Sequence, residues 1–184
     1  TATDLDALAE RLTRLGIEHE IRQSTQAISP AEEILQAATD VGADLIVIGS
    51  VGLATSDQLF GSVPRRVVTH APCDVLLTRP RNLSNREPGT APYRRLLIAT
   101  DGSSTADRAA RKGYALAHRL EASVTLVFVG HPKTGELVLQ DTVASIGQES
   151  GVTSATETRT GDAAREIVNA AAVEGYDLVV IGGG

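Results

Sequence analysis

Ser29–Gly49 reads SPAEEILQAATDVGADLIVIG, and Asp162–Gly182 reads DAAREIVNAAAVEGYDLVVIG, the same pattern at an offset of 133 residues. Eleven of the 21 positions are identical, among them Glu33/Glu166, Ile34/Ile167, Gly42/Gly175, Asp44/Asp177 and Gly49/Gly182. That period is far too long for a solenoid and is the size of a whole domain. Each copy has one physical reading. Ser29-Pro30-Ala31-Glu32 has the form of a capping box with proline at the first helical position. Ile34, Leu35 and Ala38 make an apolar helical stripe, and Gly42 is a left-handed stop. Leu45–Ile48 then runs apolar without alternation, the pattern of a strand covered on both faces of a parallel sheet. In the second copy Asp162 caps, Ile167 and Val168 pack, Gly175 stops the helix and Leu178–Ile181 is the strand.

Working outward, Leu5, Leu8, Leu12 and Leu15 predict an amphipathic helix ended by Gly16, and His19–Arg22 a short strand. A helix over Arg65–His70 precedes a strand over Cys73–Thr78, which Pro80 closes. Residues 81–92 lie in a proline-bearing stretch without apolar periodicity and read as a linker. After them come a strand (Leu96–Thr100), a helix opened by Ser104-x-x-Asp107 and running to Leu120, and a strand (Val124–Val129). Strands alternating with helices imply βαβ units in an α/β fold with a doubly wound parallel sheet. The two halves lack complementary parts. Residues 1–80 have nothing like Leu96–Val129 in front, and residues 93–184 stop where the first half continues. The chain opens on Thr1 and holds no Met. These features predict two incomplete copies in tandem from a longer chain; a circular permutant explains less.

Composition narrows the function. With 42% hydrophobic and 22% charged residues, the 184-residue chain is in the globular range. It carries 17 Lys and Arg against 23 Asp and Glu, a net charge of −6, with no basic stripe for nucleic acid. Its five aromatic residues (Phe60, Tyr93, Tyr114, Phe128 and Tyr176) are few for base stacking. No apolar run is long enough for a membrane span, and no signal-peptide pattern is present. One cysteine, Cys73, excludes an internal disulfide framework and points to the cytoplasm. Cys73 opens an apolar strand and reads as an inert thiol. The four histidines, His19, His70, His118 and His131, show no metal-ligand spacing. Ser103, Asp101 and a histidine make no triad without a G-x-S-x-G elbow.

Two places carry candidate chemistry. The strand Leu45–Ile48 runs into Gly49, Gly52 and the pair Gly61-Ser62 ahead of a helix. Ligands of open α/β sheets sit at the carboxyl ends of strands, where glycine lets a phosphate approach backbone and a helix start offers free amides. The spacing is neither G-x4-G-K-[ST] nor G-x-G-x-x-G, so tight turns and an N-cap serine are the alternative reading. Asp101 ends the strand Leu96–Thr100 in Thr100-Asp101-Gly102-Ser103. Its carboxylate can accept from an adenine amino group or a ribose hydroxyl; its structural alternative is an Asx turn.

Taken together, strand-TDGS-helix, a helix–strand pair ending DLIVIG, G-x2-G, G-S and HAPCDVLL resemble the universal stress protein family. The resemblance covers residues 1–80 as the last two-thirds of one domain and 93–184 as the first two-thirds of another. It implies a five-stranded parallel sheet of the adenine nucleotide α-hydrolase type, binding ATP between the aspartate after the first strand and the glycine loop after the fourth. On that resemblance Asp101 is the base- or ribose-contacting carboxylate, and Val129 the residue whose backbone holds the adenine edge. Gly49 and Gly52 are the first loop glycines, Gly61 and Ser62 the phosphate pair, and Gly182 the second-copy counterpart of Gly49. The family spacing is G-x2-G-x9-G-[ST], whereas eight residues, Leu53–Phe60, separate Gly52 from Gly61 here. The implied function is a non-enzymatic Mg-ATP-binding stress sensor, pairing with another such domain through its last strand, Cys73–Thr78. The alternatives are a nucleotide-free interaction module, which the short loop favours, the regulatory domain of a transporter, and a superfold enzyme lacking its usual loops.

Overall fold

Both copies of the repeat fold as a helix followed by a strand in the computed structural model, which describes residues 2–23, 29–50, 61–78 and 93–183. The chain divides into two compact units, Thr1–Leu83 and Ser84–Gly184. The expected linker at 81–92 lies outside the described residues.

In the first unit, α1 (Ala2–Arg14) ends before Gly16, which takes the left-handed backbone its position demands at φ +69°. Then follow α2 (Pro30–Asp40), β1 (Leu45–Gly49), α3 (Ser62–His70) and β2 (Asp74–Thr78). The two strands pair in parallel, with Ile46 beside Val75 and Gly49 beside Thr78. Ala31, Ala38, Ile46 and Val67 form the core between helices and sheet. Gly42 ends α2 at φ +62°, and the Ala43 amide reaches back to the Ala38 carbonyl at 2.9 Å.

Three expectations change here. The Ser29 side chain makes no capping bond; its carbonyl instead takes the amides of Glu32 and Glu33 at 2.9 and 3.1 Å. His19–Arg22 is irregular and exposed, because no strand among the described residues lies beside it to carry a ladder. β1 is covered on one face: Ile46 is 8% exposed but Leu45 is 51% and Val47 60% exposed.

The second unit is a four-stranded parallel sheet of β3 (Arg95–Ala99), β4 (Ser123–Val129), β5 (Ser154–Arg159) and β6 (Leu178–Val180), in spatial order β5-β4-β3-β6. Leu96 and Ile98 face α4 (Ser104–Leu120) and α5 (Pro132–Thr142) in a core with Ala110, Tyr114, Leu126 and Leu139. Leu97 faces the other way, onto Ala170 of α7 (Ala163–Val173), with Val127 and Tyr176. Leu96, Leu97 and Ile98 are fully buried, as an unalternated strand in a doubly wound sheet requires. A π-helical turn (Val143–Gly147) and the short α6 (Gln148–Ser150) follow α5 and lie over Tyr114, whose hydroxyl donates to Ser154 Oγ at 2.6 Å. The cap of α4 is Ser103, one residue earlier than expected, with Oγ accepting from the Ala106 amide at 3.2 Å. Asp162 caps α7 as expected, Oδ1 accepting from the Arg165 amide at 2.9 Å.

Candidate functional site

The second unit has one topological switch point. From β3 the chain steps through α4 to β4 and through α5 to β5; α7 then returns it to the other side of β3 as β6. The strand order therefore reverses between β3, which the chain leaves toward β4, and β6 on its other side, and the carboxyl ends of these two strands are where an open α/β sheet leaves a crevice. Asp101 stands at that point.

Its surroundings are built by the tetrapeptide Thr100–Ser103. Thr100 is buried, and its amide gives β3 its last bond to β4, to the Val127 carbonyl at 3.0 Å. The next amide able to continue that ladder belongs to Gly102. It turns back instead onto Thr100 Oγ1 at 3.2 Å, with Gly102 at φ +79°. Asp101 Oδ1 accepts from the Ser103 amide at 2.9 Å in an Asx turn. The hydrogen bond from the Ser103 side chain, then that from its backbone, hold the Asp101 carboxyl below its ordinary value of 3.8 against a smaller desolvation. An exposed, firmly ionised carboxylate results.

β4 outruns β3. Since Ala99 pairs with Val127, Phe128 and Val129 extend past the end of β3. Backbone groups alternate sides along a strand, and the Gly130 amide bonds β5 at the Arg159 carbonyl, 2.8 Å away. The N–H and C=O of Val129 therefore turn to the β3 side, beyond the last β3–β4 bond. A donor and an acceptor are left over the turn that carries Asp101.

Gly182 follows β6, but its small size has another use. A Cβ there would stand 2.9 Å from the Thr105 carbonyl carbon and 3.0 Å from the Ala106 nitrogen, so Gly182 lets the chain pass against the first turn of α4. Asp101, Val129 and Gly182 thus all lie at the carboxyl side of one sheet.

Gly49, Gly61 and Ser62 belong to the first unit; Gly52 and the eight residues after it lie outside the described residues. A Cβ on Gly49 would meet nothing within 4 Å. Gly61, not Ser62, is the N-cap of α3, and it offers no side-chain cap. The first helical bond runs from the Arg65 amide to the Gly61 carbonyl at 3.2 Å, leaving the amides of Ser62 and Val63 ahead of the ladder. The Ser62 hydroxyl is exposed and not spent on capping. Thr100 and Ser103 went unrecognised in the sequence as the groups that fix Asp101, although the TDGS spelling of an Asx turn followed by a serine cap contains the signal.

The family model described as "Universal stress protein family" matches residues 2–79 and 92–183. The chain belongs to the universal stress protein family. A universal stress protein of Thermus aquaticus, encoded in the 3′ region of a QAH/OAS sulfhydrylase gene, is 47% identical over 72 residues, covering 39% of this chain and 52% of that one. A Staphylococcus epidermidis protein whose name places it in the same family is 47% identical over 57 residues, covering 30% and 32%. The chain thus spans about half, or less, of the length of these relatives. The solved structure of a universal stress protein from Archaeoglobus fulgidus superposes with a TM-score of 0.77 at 22% identity, over 95% of this chain and 63% of that one, and supports the fold.

Proposed function

We propose that this universal stress protein binds an adenine nucleotide, ATP carrying Mg²⁺, and acts as a sensor or regulator. The observation that carries the reading is the Val129 N–H and C=O, turned past the end of β3 without a partner there among the described residues, on the same carboxyl side of the sheet as the ionised Asp101. One donor and one acceptor on a strand end suit the edge of a purine, and a carboxylate within the same crevice suits a ribose hydroxyl or an amino group. The first unit, taken by itself, carries phosphate-type features of its own copy of the fold: Gly49 in open space and, at the start of α3, the amides of Ser62 and Val63 and the Ser62 hydroxyl, none of them spent on capping among the described residues. Among the described residues no three His, Cys, Asp or Glu side chains converge on a metal position, so Mg²⁺ would arrive on the phosphates.

A nucleotide-free interaction module is the second reading, favoured by the eight-residue spacing between Gly52 and Gly61. Pairing through β2 suits either reading, since β1 takes one of its edges. Calorimetric titration of the chain with Mg-ATP, with and without Asp101→Ala, tests the choice. Micromolar binding that the substitution weakens, without phosphate release, supports the sensor. No heat with ATP, ADP or AMP overturns it in favour of the module.

A further inference from the structure

We propose that the outer face of α4 docks an acidic segment of a partner protein. Along the chain the cations look scattered, but α4 gathers four, Arg108, Arg111, Lys112 and Arg119. At helical spacing they share one side of the helix, opposite the buried stripe through Ala110, Tyr114 and Ala117, and all four are exposed. Arg108 stands three residues before Arg111 and four before Lys112, spacings at which like charges repel. Ala115, also exposed, lies four residues from both Arg111 and Arg119, where one carboxylate would pair with each. The only acidic residue of the helix is Asp107, in its first turn. Among the described residues neither Arg108 nor Arg119 meets a carboxylate; Arg108 donates to Thr105 Oγ1 at 3.2 Å within its own helix. Arg111 reaches Glu149 Oε2 at 2.9 Å, a pair held weakly because its side chains are 54% and 70% exposed.

The whole chain carries a net charge of −6, so a face of the opposite sign is a local feature and not a reflection of composition. A face that keeps like charges together and omits the anion that would relieve them is suited to an anion from outside. Three of the four cations are arginines, whose forked guanidinium matches a carboxylate. Ala115 and the 37% exposed Leu116 lie among them, giving a small apolar centre with a charged rim, the form of a protein contact. Four cations on an acidic chain are few for nucleic acid, whose binding draws on many phosphates, and one exposed leucine is no membrane anchor. A short acidic segment carrying an apolar residue meets both the rim and the centre.

The test is fluorescence anisotropy of a fluorescein-labelled peptide repeating Glu-Glu-Leu with the whole chain, beside a Gln-Gln-Leu peptide, with a DNA duplex and phosphatidylserine vesicles as competitors. Ala115→Glu places the absent carboxylate between Arg111 and Arg119 and removes no side chain that the fold uses, so its unfolding midpoint should hold level or rise. Docking predicts that the Glu-Glu-Leu peptide binds at least about tenfold tighter than the Gln-Gln-Leu one and weakens as salt is raised. It also predicts about a tenfold loss in Ala115→Glu and in the double variant Arg108→Gln with Arg119→Gln. Should Ala115→Glu fail to fold, the double variant, which changes only exposed side chains, decides alone. A wild type that does not bind the acidic peptide, or binds it no better than the variants do, overturns the docking surface. A duplex or vesicles that displace the labelled peptide more effectively than unlabelled peptide does also overturn it, in favour of nucleic acid or membrane.

Discussion

Asp101 has one carboxylate, which closes a turn and is proposed to meet a ligand, and pH and ligand titrations separate the two. One oxygen closes the Asx turn onto Ser103. Because its folded pKa is depressed, the contribution of that carboxylate to stability is present above its ordinary value of 3.8 and is lost as pH falls through the lower folded value. Thermal midpoints measured from pH 7 down to about pH 2 should therefore show the wild type losing stability in acid slightly more steeply than Asp101→Asn. The difference should be small because the group is exposed. Mg-ATP affinity should fall about tenfold in the same variant, as expected for the loss of a charged hydrogen-bond partner. Equal affinity in the two proteins would leave Asp101 as a turn residue. Gly182 is the opposite case, a predicted ligand residue whose visible constraint is packing. Gly182→Ala drives a Cβ into the backbone of Thr105 and Ala106 and should cost about 1–3 kcal/mol in urea unfolding. A neutral result would show that α4 can move away from the loop.

At the scale of elements, unalternated apolar spelling marks β1 and β3 alike, yet their surroundings differ. β3 is buried on both faces, whereas β1 buries Ile46 and exposes Leu45 and Val47. Ile46→Ala should cost about 2–4 kcal/mol and Val47→Ala less than about 1 kcal/mol in the same unfolding assay. Comparable losses would mean that the outer face of β1 is covered in solution. This difference also marks where sequence stops being legible. Periodicity, Gly16, Gly42 and Gly175 placed helices and their ends, because those signals are local. How many faces of a strand are covered depends on elements distant in the chain. Between Val129 and Asp162, where α5 and β5 lie, no element is legible from the spelling. β5 reads SATETR and has no apolar run, since its α7-facing side is held by charge. Arg159 there sits 2.7 Å from Glu157 and 3.7 Å from Glu166, also pairs with Glu174, and is 20% exposed. Arg159→Ala leaves three carboxylates facing one another without their cation. It should destabilise by about 2–3 kcal/mol, be partly rescued by salt, and be poorly replaced by Lys.

For the whole molecule, the repeat supplies what neither unit displays alone. β1 and β6 are copies of one strand, and each is seen with a different neighbour: β6 beside β3, β1 beside β2. Superimposing the copies gives the order β5-β4-β3-(β6 or β1)-β2, the five-stranded doubly wound sheet that the family resemblance implied. The faces agree with this overlay. Leu178 and Val180 pack against the α4 core, while their counterparts Leu45 and Val47, with no such helix, are exposed. The residues proposed for nucleotide fall in different copies, Asp101 and Val129 in the second unit and Gly49 and Ser62 in the first. These residues were legible from motif spelling, which is local. Stability should be unequal. Among the described residues the first unit has one cluster of four buried apolar residues, whereas the second has clusters of eleven and four on opposite faces of its sheet. Differential scanning calorimetry should therefore resolve two transitions, with the lower belonging to Thr1–Leu83. Val67→Ala, in the small core, should shift only the lower transition, and Leu97→Ala only the upper, each costing about 2–4 kcal/mol. A single transition moved by both substitutions would show that the two cores unfold as one cooperative body.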